Sequence, residues 1–177
     1  MLRFFCREKI YKVKFMKQFE IKSTIKEYSS LSELSADDQE LIAKAHLAAN
    51  DAYAPYSKFY VGAAIRLEND EICLGNNQEN AAYPSGICAE RVAVFSASAT
   101  HPNMKVKKIA VVAHSNEIKI DKPISPCGAC RQVLAEYESK SGNIILLLMG
   151  ETGNIYEINS VKDILPLMFT ASDLGVK

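Results

Sequence analysis

Three cysteines and one glutamate sit in two short stretches that make chemical sense only together. Residues Gly86 to Arg91 read G-I-C-A-E-R, and Pro126 to Gln132, about forty residues later, read P-C-G-A-C-R-Q. Cys127 and Cys130 are three positions apart, so a helix beginning at Pro126 sets both sulfurs on one face of its first turn, where they can share an ion. Proline suits a helix start, and a helix N-terminus favours the thiolate over the thiol, which is the form a metal needs. Cys88 supplies the third sulfur.

Three ligands point to an open site. A structural zinc is closed by four protein ligands, whereas a catalytic one keeps a position for water. Bound zinc lowers the pKa of its water from about 15.7 to roughly 7. Glu90, two residues past Cys88, points elsewhere on the helix, which suits a proton shuttle better than a fourth ligand. Three thiolates on Zn(II) leave a formal charge of minus one and would blunt the metal as a Lewis acid. Arg91 and Arg131, each directly after a motif residue, are the cations that could offset it, since a guanidinium can hydrogen-bond to thiolate sulfur. Arg91 is preferred; the competing reading leaves both arginines on solvated helix faces.

The rest of the composition bounds the partners. The 177 residues suit one domain with a sizeable core, and 21 basic residues balance 21 acidic ones. That balance lacks the basic surface of a nucleic-acid binder and favours a small substrate. Beyond the three motif cysteines only Cys6 and Cys73 remain, with no disulfide framework, so a reducing, cytoplasmic setting is expected. No run reaches the roughly 18 apolar residues of a membrane span. Residues 1–15 are basic and fit no clear pattern, and we read them as an appendage to a single domain over residues 16–177.

The elements that must position the motif follow from periodicity. Ser35, with Asp38 three later, starts a helix over 36–52, with Leu41, Ile42, Ala45, Ala48 and Ala49 at helical spacing. Phe59 to Leu67 alternates as a strand, and Ile72 to Gly75 returns as its hairpin partner. Helices over 89–99 and from Cys127 to about 139 carry the motif. Ile109–Ala113 and Ile144–Met149 are continuous apolar runs of strand length, as expected of strands covered on both faces. Ile155–Ile158 adds a strand, Ser160 caps a short helix through Leu165, and residues 20–34 hold a short edge strand and a polar loop. About five strands interleaved with helices argue for an α/β class with a sheet between helical layers. Asn77 and Glu79, two apart on an extended segment, point the same way and could hold two hydroxyls of a sugar; a solvated turn explains them equally well.

Taken together, C-A-E-R, P-C-G-A-C-R-Q and the flanking blocks resemble the zinc-dependent cytidine deaminases, over residues 30 to 174 or so. The resemblance implies the three-layer α/β/α fold of that family, with a mixed sheet of about five strands and one Zn(II) per chain on Cys88, Cys127 and Cys130. It implies hydrolytic deamination of cytidine and deoxycytidine to uridine and deoxyuridine, a step of pyrimidine salvage. Glu90 would take a proton from the activated water, pass it to ring N3 and later protonate the departing amine. The block N-Q-E-N-A before Y-P-S-G-I-C-A-E-R matches the family's ribose contacts, which assigns Asn77 and Glu79 to the sugar. Phe59, after Y-A-P-Y-S-K, matches an aromatic that stacks on the pyrimidine, and backbone at Ala89 and Cys127 would hold the base.

Two further implications concern substrate and assembly. Nucleotide and polynucleotide deaminases mostly resemble H-x-E at the first ligand, so Cys88 favours a free nucleoside. I-L-P-L-M-F is similar to the family's L-L-P-x-x-F, in which Phe169 would reach across a homotetramer toward a neighbour's pyrimidine. Two other readings stand beside this one. A blasticidin-type deaminase shares C-A-E and P-C-x-x-C but lacks the N-x-E-N-A block; a non-catalytic zinc module would close the site with His101 or His114 and would have no use for Glu90.

Overall fold

The computed structural model describes residues 16–175, so the appendage expected over residues 1–15, with its Cys6, lies outside the described residues. Strands β1 (Ile25–Tyr28), β2 (Phe59–Leu67), β3 (Ile72–Asn76), β4 (Val106–Ser115), β5 (Ile145–Met149) and β6 (Ile155–Ile158) make one sheet, together with helices α1 (Ala36–Asn50), α2 (Ala89–Thr100) and α3 (Gly128–Ser141). The strand order is β1-β6-β5-β4-β2-β3. Only β4 and β5 run parallel, joined by the crossover through α3; every other pair is antiparallel. The sheet has six strands, compatible with the expected mixed sheet of about five, and the short edge strand expected within residues 20–34 pairs fully with β6, Ile25 opposite Ile158 and Tyr28 opposite Ile155.

Side-chain alternation explains the three layers. On β2, Ala63, Ile65 and Leu67 face α2 and α3, in one core with Ile109, Val111, Leu134, Leu146 and Leu148. Ala64 faces the other way, into a second core with Leu41, Ile42, Ala45 and Ala49 of α1 and with Ala110, Val112 and Leu147. The apolar runs of β4 and β5 are thus covered on both faces, as their composition requires. Both faces of β2 are buried as well, a feature that small residues hide in its sequence.

Helix starts are where the structure departs from the simplest expectations. Ser35 caps α1 by accepting from the Asp38 amide, 3.3 Å. The reciprocal half of a capping box does not form, since the Asp38 carboxylate pairs with Lys108 on β4. Helix α3 begins one or two residues later than the proline suggested: Cys127 is its N-cap and Gly128 its first helical residue. The helix expected after Ser160 is only a 3-10 turn, Val161–Asp163, capped by the Ser160 hydroxyl.

Close packing under α2 depends on one missing side chain. A Cβ on Gly75 of β3 would overlap the Ala93 backbone nitrogen and come within 2.6 Å of the Ala89 carbonyl oxygen, so α2 can lie on the strand only over glycine. Overpacking of this kind typically costs about 1–3 kcal/mol. Gly75→Ala is expected to lower the unfolding free energy from urea titration by at least that much, whereas Gly128→Ala, whose added methyl meets open space, should shift it by less than about 1 kcal/mol.

Candidate metal centre and active site

Two helix N-termini converge on one point. Cys88 is the N-cap of α2 and Cys127 the N-cap of α3, both with extended backbone, and neither thiol caps its own helix. Their sulfurs lie 3.9 Å apart, and Cys127 and Cys130 are 3.5 Å apart. All three sulfurs lie within 4.8 Å of one another. Four bonds of about 2.3 Å at tetrahedral angles would separate sulfurs by about 3.8 Å, so the donor set fits zinc in spacing and in ligand type. The α2 and α3 dipoles present partial positive charge to the same thiols.

The thiols share protons unequally. A hydrogen bond from Cys130 draws the Cys88 thiol down to about 5, against its burial and with help from Arg91 and Cys127. The same contact and burial push the Cys130 thiol up. Nη2 of Arg91 donates to Cys88 Sγ at 3.5 Å, so Arg91 is the arginine that meets a sulfur. Arg131 does not: its guanidinium binds the Pro126 and Ile164 carbonyls and the Ser125 hydroxyl.

Glu90 occupies the second position of α2 and is 4% exposed. Burial raises its carboxyl above the ordinary range; its own amide lowers it and the Cys88 charge raises it further. Glu90 lines a cleft of roughly 360 Å³ together with Cys88 and Cys127. A volume of that order suits a small ligand. The rest of the lining includes Phe59 and Val61 of β2, Asn77 and Glu79, and Ile124 and Ser125 ahead of α3.

The two polar residues expected to face a sugar do line this cleft, but each is also anchored to backbone. Asn77 Oδ1 accepts from the Val61 amide at 2.8 Å while its Nδ2 donates to the Phe59 carbonyl at 2.9 Å. Glu79 Oε2 accepts from the amides of Tyr56 and Ser57, 2.9 and 3.2 Å. Burial raises the Glu79 carboxyl, yet hydrogen bonds from the Ser57 side chain and from both amides outweigh it, and the carboxyl is held below its ordinary range. These bonds stabilise the turn in which Lys58 takes a left-handed φ of 54°, and that turn aims Phe59 into the cleft. One proton on Asn77 and the second oxygen of Glu79 remain for a ligand.

Other expected residues are placed differently. Ala89 is fully buried at the first position of α2 and offers only its backbone. Phe169 is 59% exposed and does not line the cleft; its carbonyl accepts from Gln132 Nε2 at 2.7 Å. His101 is the C-cap of α2, at the far end from Cys88, and pairs with Glu71, while His114 stacks on Tyr60. Neither can close the thiol cluster. Ile124 and Ser125 were not anticipated as wall residues, since a proline-flanked loop carries no periodicity.

The family model for the cytidine and deoxycytidylate deaminase zinc-binding region matches residues 35–146. A cytidine deaminase of Sporosarcina psychrophila is 43% identical over 139 residues, covering 78% of this chain and 96% of its own. One from Halalkalibacterium halodurans is 42% identical over 139 residues, 78% of this chain and 98% of its own. Among solved structures, a cytidine deaminase from Burkholderia pseudomallei superposes with a TM-score of 0.65 at 39% identity, covering 73% of this chain and 97% of that one.

Metal content tests the division of roles. Cys127→Ala should lose both the zinc and much of the stability, because thiolate ligation is coupled to folding. Glu90→Gln should keep zinc near one per chain by atomic absorption; loss of metal from that variant would make Glu90 a ligand.

Proposed function

The chain belongs to the cytidine and deoxycytidylate deaminase zinc-binding family, and we propose that it hydrolyses cytidine and deoxycytidine to uridine or deoxyuridine and ammonia. The observation that carries this reading is a cluster of three thiols, two of which, Cys88 and Cys127, line one cleft together with the buried Glu90 carboxyl and with Phe59, Asn77 and Glu79. Cys88, Cys127 and Cys130 would hold one zinc ion, which supplies an acidified water at neutral pH.

Glu90 moves the protons. Its carboxylate takes one proton from the attacking water and delivers it to N3 of the ring, which makes C4 electrophilic as the water oxygen bonds to it. The C4–N4 bond then breaks, and the same carboxyl relays the second proton so that nitrogen leaves as ammonia. A positioned acid–base of this kind contributes about 10²- to 10⁴-fold. Burial favours the protonated form, which is the form that donates to the leaving group. Arg91, on Cys88, offsets the charge of the thiolates. Phe59 stacks on the pyrimidine, Asn77 and Glu79 take the sugar hydroxyls with their remaining capacity, and backbone of Ala89 and Cys127 holds the base. Zinc-loaded protein is expected to turn over cytidine and deoxycytidine and to act poorly on cytosine, cytidine monophosphate and adenosine, with Glu90→Gln inactive on all. Efficient deamination of free cytosine would show the sugar contacts to be misassigned.

We place this activity in pyrimidine salvage in the cytoplasm, in a catalytic domain spanning residues 16–177, with the first fifteen residues an appendage and nucleic acid no partner. The balanced charge supports a small substrate. We further propose a homotetramer in which Phe169 reaches a neighbour's site. Exposure of Tyr83, Phe95, Leu167 and Phe169 supports an assembly that would cover them. Light scattering should report four chains, and Phe169→Ala should fold, keep zinc and raise KM by about two- to tenfold, the range of one lost aromatic contact. A fully active monomer would overturn the assembly.

A further inference from the structure

The motif P-C-G-A-C-R-Q carries, directly after its second cysteine, an arginine that neither ligates nor meets a sulfur, and its side chain explains how an irregular cleft wall is held. Twelve residues, 116–127, join β4 to α3 without regular structure. A connection that long is either mobile or pinned at points that can be named. At the exit from β4 the Ser115 hydroxyl accepts from the Glu117 and Ile118 amides; the next pins are at Ile120, whose amide donates to Glu151 and whose carbonyl accepts from the Glu151 amide, and at Asp121, whose carbonyl accepts from Thr152. Beyond Asp121 the next pins are both from Arg131: Nε donates to the Pro126 carbonyl at 2.8 Å and Nη2 to Ser125 Oγ at 3.0 Å. Ile124 and Ser125, which lie within this stretch, form the cleft wall beside Cys127.

The third nitrogen of the guanidinium reaches a different part of the chain. Nη1 donates to the Ile164 carbonyl at 2.9 Å, at the end of the 3-10 turn that follows β6. Glu138, about two turns further along the same face of α3, fixes the start of that turn: its carboxylate accepts from the Val161 amide and the Ser160 hydroxyl. The carbonyl that Arg131 uses is therefore itself anchored to α3. One planar fork thus ties the wall ahead of Cys127 to a fixed point, through three acceptors in three directions that a single lysine ammonium on a flexible stem does not reproduce.

We propose that Arg131 is a positioning residue for substrate, which sets the Ile124–Ser125 wall of the cleft and leaves metal binding to the thiols. The proposal rests on the nucleoside deaminase reading for its kinetic consequence, but its structural consequence can be read without any substrate. Loss of the fork frees the wall, so nucleoside binds more weakly while Glu90 and the thiols stay in place. A hydrogen bond from a charged donor is worth roughly ten- to a hundredfold, and part of that falls on the wall.

The test uses zinc-loaded, full-length Arg131→Gln, Arg131→Lys and Ser125→Ala, and the double variant Arg131→Gln/Ser125→Ala. Arg131→Gln should raise KM for cytidine about tenfold with kcat within about threefold, keep one zinc per chain, and speed amide exchange of Ile124, Ser125 and Cys127 at least tenfold. Arg131→Lys should recover only part of the affinity. Ser125→Ala should raise KM severalfold, and the double variant should be no worse than Arg131→Gln alone, because both changes cut the same link. Unchanged exchange at these amides overturns the proposal, as does loss of zinc or a fall in kcat at unchanged KM. If Arg131→Gln does not fold, Ser125→Ala decides, with unchanged KM and unchanged exchange counting against. Should the unsubstituted protein fail to deaminate cytidine, the functional reading falls and the exchange measurement alone decides the role of Arg131.

Discussion

Everything in this molecule depends on bringing two helix N-termini within bonding reach of a single metal ion. Sulfurs separated by 39 residues in sequence must lie 3.9 Å apart, which demands that α2 and α3 pack on the same face of the sheet, in fixed register along it. Hydrophobic burial alone does not fix register to that tolerance. The close approach of α2 to Gly75 does, because backbone atoms in contact leave no slack for sliding. On the other side, the parallel β4–β5 pair dictates a crossover, and α3 is that crossover, so its N-terminus must emerge near the C-terminal end of β4. Ligand sites of open α/β sheets collect at such strand ends for the same reason.

Much of the fold was legible because its signals are local. The alternation of Phe59 to Leu67 returned β2 with the bounds that the structure shows, and the apolar runs at 109–113 and 144–149 correctly implied strands covered on both faces. What stayed hidden required partners distant in sequence. The burial of the second face of β2 cannot be read from Gly62 and Ala64, which are small on account of α1. The edge strand β1 has only four residues, and its stability comes from β6: Lys26 and Tyr28 both bond to Glu157, and Asn154 bonds to Glu27. Neither partner announces the other. Helix lengths erred by one or two residues at their ends, where cap geometry and not composition decides.

The site divides along the same line. Thiol spacing picks out the three candidate metal ligands without any tertiary knowledge, and a carboxylate beside them is conspicuous. Asn77 and Glu79 are different, because a pair of polar residues on an extended segment has no unique meaning. The structure shows each of them holding the backbone that places Phe59. A side chain that braces the turn and also faces the cleft links the aromatic contact to the polar ones: moving one moves the others. That coupling favours a ligand with an aromatic ring and adjacent hydroxyls in a fixed relation, which is what a nucleoside presents.

The two arginines could not be told apart by adjacency to the motif, yet helix geometry separates them. Side chains in an α-helix lean toward its N-terminus, so a residue at the third helical position reaches back to the N-cap, as in a capping box. In α2 the N-cap is Cys88 and the third position is Arg91; in α3 the N-cap is Cys127 and the third position is Cys130. Both helices therefore use the same cap-to-third-position contact, once to bring a cation to a sulfur and once to bring a second sulfur to the first. Arg131 stands one position further along and overshoots the cap, landing on the Pro126 carbonyl behind it. Arg91 retains a buried Nε without a partner among the described residues. An unpaired buried N–H costs about 1–3 kcal/mol, more when charged. Tolerating that cost makes sense beside thiolates, where the positive charge is needed and where full satisfaction of the guanidinium by neutral carbonyls would pull it away from the sulfur.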